Sequence, residues 1–380
     1  MDFDLNPILV FWETTRACEL SCRHCRAQAM PDPLPGQLTT EEGGAFIDSL
    51  TGFGPHRPVL ILTGGDPFMR PDFFDLLTHA RSLGLPVGLA PSVTPRLTRD
   101  ALTRAFDLGV RSVSLSLDGA RAETHEAIRG VAGHHEATLE ALRLLVRLGF
   151  RAQVNTTVMR DNVEELADVA ALLASIGVDA WEVFFLIHVG RGREVRELAP
   201  AECEDVAQFL VDAADYGMVV RTVEAPFFRR VASWRGDGTD PVDGRAVGPL
   251  YERLVTRLRA RLGEPTGRRR AHTAGTRDGK GIVFVAHDGE VFPAGFLPIG
   301  LGNVRESCIV DLYRSHPLLL DIRRAAFSGR CGRCDFRDLC GGSRSRAYAA
   351  SGDPLGEDPA CAYMPPAPPL PPPAAQVVRA

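Results

Sequence analysis

The chain has 380 residues, 45% of them hydrophobic and 24% charged, with a formal net charge of −5. That length suits two or three domains, or one large barrel with an appendage, and a core of that size needs no disulfide staples. The mildly acidic balance, with no long basic stripe, gives no reason to expect a nucleic-acid partner. No run approaches the roughly 18 apolar residues of a membrane helix.

The first segment, Ile8–Thr14, reads as a strand. Acidic residues precede it where a secretory signal would carry basic ones, so the chain is expected to be cytoplasmic. Further short apolar runs read as strands at Val59–Leu62, Val87–Ala90, Val113–Leu117, Ala152–Val158 and Trp181–Ile187. Between them lie helical patterns. One opens at Thr39–Thr40–Glu41–Glu42, and others cover Pro71–Ser82, Thr98–Leu108, His135–Leu148 and Asn162–Ser175. A helix at Pro200–Tyr216 completes six strand–helix units. Such alternation predicts a parallel sheet with helices outside, either doubly wound or curled into a barrel. Residues 217–280 read as a less regular bridge with one helix near Pro249–Leu262 and an Arg268–Arg270 patch of the solvated kind. A hairpin is expected around His287–Asp288–Gly289 and a helix over Val310–Ala326. The proline-rich end, 365–380, is expected to be disordered.

Nine cysteines in a cytosolic chain point to metal or catalytic roles before disulfides. Cys18, Cys22 and Cys25 form Cys-x-x-x-Cys-x-x-Cys just after the first strand, where the loops of a parallel barrel build active sites. Arg16, Glu19, Arg23, His24 and Arg26 make the surroundings polar and favourable to thiolates, which argues against a buried stripe of inert cysteines. Three thiolates are one short of a closed shell for a 4Fe–4S cluster, so a fourth iron would stay open. Zinc, with His24 or a distant residue as fourth ligand, remains the other reading of these residues alone. Near the other end, Cys331, Cys334, Cys340 and Cys361 supply four thiolates, a closed shell for a cluster or for zinc. Cys203 and Cys308 sit in amphipathic contexts and read as small apolar residues.

A strand, then Cys-x-x-x-Cys-x-x-Cys, then Thr63–Gly64–Gly65–Asp66–Pro67 after the second strand, resembles the radical S-adenosylmethionine (SAM) enzymes over about residues 8 to 216. The resemblance implies an α/β fold, a partial barrel of six strand–helix units at 1–216. It implies that Cys18, Cys22 and Cys25 hold a SAM-cleaving 4Fe–4S cluster with one open iron, with His24 in the slot before the third cysteine. Gly64 and Gly65 would let backbone approach the methionine end of SAM, with Asp66 where the family usually has Glu. Ser116 and Asp118 match the ribose-contacting region, Asp118–Gly119 reading equally well as a turn. Asn155 is a further expected contact. Residues 281–364 resemble the SPASM extension of such enzymes. Ala294 and Ser343 stand where two of its seven cysteines are expected. One auxiliary 4Fe–4S cluster is therefore implied, on Cys331, Cys334, Cys340 and Cys361.

Such enzymes cleave SAM reductively to a 5′-deoxyadenosyl radical that takes hydrogen from a substrate carbon. An electron donor such as flavodoxin or ferredoxin is implied as partner. Leu186–Ile187–His188–Val189–Gly190–Arg191–Gly192, Gly295–Phe296–Leu297–Pro298 and Cys340–Arg344 resemble the tetrapyrrole-modifying branch, in which porphyrin propionates are decarboxylated or oxidised. Arg191 would then face the chamber and suit a carboxylate, of SAM or of the substrate. His188 reads as a ligand or as a packed strand-end residue. Two other expectations stand beside an oxidoreductase of tetrapyrroles: a maturase of a ribosomally made peptide, and a zinc-stabilised binding protein without catalysis.

Overall fold

The computed structural model describes residues 2–236, 247–265, 270–271 and 275–366. Arg268, Arg269 and nearly all of the proline-rich end lie outside these. Seven strands run parallel in chain order: β1 (Leu9–Glu13), β2 (Val59–Thr63), β3 (Val87–Leu89), β4 (Ser112–Ser116), β5 (Arg151–Val158), β6 (Ala180–Phe185) and β7 (Val219–Val223). Helices fill the gaps between them: α1 (Thr40–Ser49), α2 (Phe73–Ser82), α3 (Arg99–Asp107), α4 (Ala122–Arg129), α5 (His134–Leu148), α6 (Leu166–Ile176) and α7 (Pro200–Ala213). The six expected units are all present. α1 starts where the sequence says: Thr39 Oγ1 accepts the Glu42 N–H at 3.2 Å, and the Glu42 carboxylate accepts the Thr39 N–H at 2.9 Å.

Strand alternation separates two faces. Val10, Trp12, Leu60, Leu62, Val113 and Leu115 are buried in the main core with residues of the surrounding helices. The opposite parity carries Phe11, Thr63, Ser116, Asn155 and Glu182, all only partly buried, and forms the inner face of the curled sheet. Register places Ser116 beside Asn155, Asn155 beside Glu182 and Glu182 beside Arg221.

The sheet runs beyond the sixth unit in both directions. β7 pairs with β6, so the stretch read as an irregular bridge begins with a strand, followed by α8 (Phe227–Gly236) and α9 (Pro249–Leu262). The expected hairpin forms as β8 (Ile282–Val285) and β9 (Glu290–Phe292), but β8 also pairs parallel with β1. A short β10 (Gly302–Asn303) pairs with β9, giving the order β10-β9-β8-β1-β2-β3-β4-β5-β6-β7. The helix expected over Val310–Ala326 is instead two, α10 (Ile309–Ser315) and α11 (Pro317–Arg323). Pro317 brings no N–H and forces His316 into extended backbone (ψ 126°), which ends one helix and caps the next. A four-residue turn, α12 (Gly329–Gly332), and α13 (Arg344–Ser351) follow. No helix among the described residues is long and apolar enough to cross a membrane.

Candidate active site

Cys18, Cys22 and Cys25 lie on one loop at the C-terminal end of β1, as barrel logic requires. The loop is tied shut at its base, where Cys18 N–H bonds Met30 O at 2.7 Å and Met30 N–H bonds Arg16 O at 3.1 Å. Each sulfur accepts a hydrogen bond: Cys18 from Leu20 N–H (3.4 Å), Cys25 from Ala29 N–H (3.5 Å), and Cys22 from the Arg129 guanidinium (3.6 Å). Donors aimed at sulfur favour the thiolate form that an iron–sulfur cluster needs. Burial works the other way and raises the Cys18 thiol. Among the described residues no three His, Cys, Asp or Glu side chains form a group that could hold a single metal ion. A cluster asks for a wider set, since each thiolate bonds a different iron.

Gly64 and Gly65 are demanded by the protein itself, before any ligand. A Cβ on Gly64 would stand 2.4 Å from Thr15 O, and one on Gly65 would stand 2.3 Å from Ala17 O. The two segments are stitched there by Gly65 N–H to Thr15 O (2.8 Å) and Asp66 N–H to Ala17 O (2.7 Å). Asp66 is fully buried: one oxygen takes the Phe68 N–H and the other the Thr94 hydroxyl at 2.7 Å. Desolvation holds its pKa above the usual carboxylate range. Its side chain is thus occupied within the fold.

Ser116 and Asn155 are neighbours on the inner face. Asp118 is not on that surface. It is completely buried beneath the thiol loop, with one oxygen accepting the Thr157 N–H and the other 2.6 Å from Arg129. Its position is that of a support. His24 Nε2 lies 3.7 Å from the same carboxylate, and burial, aided by nearby arginines, pushes the imidazole down to about 4. Arg191 braces the loop through Cys22 O (2.8 Å), Ala29 O (3.1 Å) and its own N–H to Cys25 O (3.1 Å). Its remaining nitrogen is buried without a hydrogen-bond partner, a vacancy suited to an anionic group. His188 bonds Val195 O at 3.2 Å and packs at the strand end.

Three inner-face residues and one helical residue escaped the sequence reading. Gln153 donates to both Asn155 and Glu182 at 2.8 Å, and Arg221 donates to Gln153 at 2.9 Å. Burial raises the Glu182 carboxyl, with Arg221 opposing. Period-two alternation within β5, β6 and β7 would have found all three. Arg129 ends α4, a helix that the sequence reading passed over.

Cys331, Cys334, Cys340 and Cys361 line one pocket together with Arg230, Phe336 and Tyr363. Here each sulfur accepts a backbone N–H: from Asp358 (3.4 Å), Phe336 (3.4 Å), Gly342 (3.5 Å) and Tyr363 respectively. Burial pushes the Cys340 thiol up to about 12 and that of Cys361 to about 11. Trp234, Phe336 and Tyr363 form an aromatic screen with ring centroids 5.3 to 5.6 Å apart. Ser343 caps α13 and donates to the buried Glu224, while Ala294 is buried in a tight turn with Leu297. Cys203 is buried in α7, and Cys308 is exposed before α10.

A family model for the radical SAM superfamily matches residues 12–173, from β1 into α6. An AdoMet-dependent heme synthase from Oleidesulfovibrio alaskensis is 34% identical over 94% of this chain and 87% of its own length. The chain belongs to the radical SAM superfamily. Another AdoMet-dependent heme synthase, from Methanosarcina barkeri, is 35% identical over 94% of this chain and 97% of its own. A mycofactocin maturase from Mycobacterium ulcerans is 30% identical over 93% and 88%. Among solved structures, anSMEcpe with bound AdoMet shares the fold with a TM-score of 0.63 at 16% identity, covering 93% of each chain. Membership makes this protein an enzyme that uses SAM and a 4Fe–4S cluster. The expectation of a non-catalytic zinc protein falls with it.

Proposed function

We propose that this protein is a radical SAM oxidoreductase acting on a carboxylate side chain of a tetrapyrrole, in heme-type synthesis. The observation that carries this reading is the 34–35% identity to AdoMet-dependent heme synthases along 94% of the chain. In it Cys18, Cys22 and Cys25 hold the SAM-cleaving cluster. When bound, that cluster supplies the electron that breaks a carbon–sulfur bond of SAM to give methionine and a 5′-deoxyadenosyl radical.

The chain's own residues do the rest. Gly64 and Gly65 bring backbone close to the cysteine loop, and the vacant nitrogen of Arg191 takes a carboxylate, of SAM or of substrate. Ser116 and Asn155 offer polar atoms on the inner face for the ribose. Cys331, Cys334, Cys340 and Cys361 form a complete four-thiolate shell for one auxiliary cluster, with no iron left open to substrate. A low-potential flavodoxin or ferredoxin is the electron donor.

The test is anaerobic reconstitution, with about eight irons expected for two clusters. Incubation with SAM, reductant and an iron porphyrin bearing propionates follows. Expected products per propionate are methionine, 5′-deoxyadenosine carrying one side-chain hydrogen, carbon dioxide and a vinyl porphyrin. The one remaining electron passes to a one-electron acceptor such as an oxidised iron–sulfur centre. An unchanged porphyrin alongside a modified peptide substrate would favour the maturase reading.

A further inference from the structure

α4 ends in a contact that neither the family match nor any relative's name assigns. Its final residue, Arg129, is 10% exposed at the side chain and reaches under the cysteine loop. One nitrogen donates to Cys22 Sγ at 3.6 Å, and another stands 2.6 Å from the fully buried Asp118 carboxylate. Asp118 is itself fixed on every side. It accepts from Thr157 N–H (2.8 Å), its own N–H bonds His125 Nδ1 (3.1 Å), and its carbonyl accepts from Asn162 (2.8 Å). The helix end is docked on the same loop, because Arg23 N–H bonds Ile128 O at 2.9 Å. A guanidinium that cannot lose its proton is therefore held against one sulfur of the triad by a carboxylate anchored in β4, β5 and α4 surroundings.

We propose that Arg129 is a positioning residue that sets the reduction potential of the cluster on Cys18, Cys22 and Cys25, through a charged hydrogen bond to Cys22 sulfur. The physical reason is direct. Reduction adds negative charge to a cluster, and a fixed cation donating to a ligating sulfur stabilises the reduced form more than the oxidised one. Asp118 meets a different nitrogen of the same guanidinium, at 2.6 Å, and so orients the donor that reaches the sulfur. Leu20 and Ala29 give the other two sulfurs neutral backbone donors, which leaves Cys22 as the charged contact of the three.

This inference rests on the reading that those cysteines hold the cluster, and the experiment separates the two. Reconstituted protein is compared with R129K, which keeps a cation, and with D118N/R129M, which leaves no lone buried charge. Iron content is read first, then the midpoint potential of the reduced cluster whose electron paramagnetic resonance signal changes when SAM is added. Full iron content is expected in all three. D118N/R129M should show a tenfold less favourable reduction equilibrium, a fall of about 59 mV for one electron, with R129K between it and the parent.

A second measurement needs no stable variant. Protein labelled with guanidino-15N arginine should show a 15N coupling to that reduced cluster that unlabelled protein lacks. An unshifted midpoint in D118N/R129M, or no coupling in the labelled parent, overturns the proposal even if SAM cleavage suffers. Parent protein without iron on these cysteines overturns the cluster reading instead.

Discussion

At the scale of single residues, Gly65 is tightly constrained by the cysteine loop itself, since a Cβ there would stand 2.3 Å from Ala17 O. A methyl group there would meet backbone oxygen, which cannot rotate away, so Gly65→Ala should displace the cysteine loop from the Gly-Gly turn. The expected outcome is loss of most of the loop's iron on reconstitution and a stability cost above about 1 kcal/mol, checked by metal analysis and denaturation. The sequence pattern marked both glycines, but for closeness to SAM; closeness to Thr15 and Ala17 became visible only in three dimensions. The same holds for Asp118, whose Asp-Gly dipeptide was readable as ligand or turn, and whose burial decides for support.

Histidine titration gives a second residue-scale prediction. Burial is the leading cause that pushes His125 down to about 3 and His134 down to about 4. They bond each other at 2.8 Å, and His134 reaches Val93 O at 3.1 Å. Unfolded histidine binds protons from about pH 6.5 downward, while these two stay neutral in the fold. Stability is thus present above pH 6.5 and is lost as the pH falls toward 4, by about 1.4 kcal/mol per pH unit for each histidine. The thermal midpoint at fixed scan rate should drop across that window, and His134→Gln should flatten the drop.

At the scale of elements, the chain's short helices were the least legible. α4 spans only eight residues and follows an Asp-Gly turn signal that masks its start, yet it has acidic Glu123 in its first turn, Arg129 in its last and Gly130 as its cap. Gly130 takes φ +76° and lies so close to the loop that a Cβ would be 2.3 Å from Ser21 Oγ. Gly130→Ala should cost about 1–2 kcal/mol from left-handed backbone alone. It should also loosen the loop, measurable as faster amide exchange at Arg23. The long parallel strands and α1 were legible because alternation and a capping box are local signals. Thr39→Ala should accordingly cost about 1 kcal/mol in a denaturation midpoint, with no effect on cluster content.

At the scale of the whole molecule, the departure from expectation is the reach of the sheet. The 217–280 and 281–364 stretches contribute β7 and β8 to either side of the six-unit array, and β8 covers the edge of β1 from Leu9 to Trp12. Pairings between residues some 270 positions apart leave no mark in local periodicity. A fragment ending before Ile282 would expose the β1 edge and should aggregate, whereas the intact chain stays dispersed; light scattering distinguishes the two. The four-thiol segment was legible from spacing alone, but its aromatic neighbours were not, since Trp234 precedes Cys331 by nearly a hundred residues.

That aromatic screen also makes the protein its own optical gauge. Of three tryptophans, Trp12 and Trp181 are sealed in the core, while Trp234 meets edge-on Phe336 and Tyr363, two rings that line the four-thiol pocket. A dark, visible-absorbing cofactor in that pocket would drain the excited indole before it emits. Emission from Trp234 should therefore fade as iron and sulfide fill the pocket and return on chelation, and Trp234→Phe should abolish that part of the change.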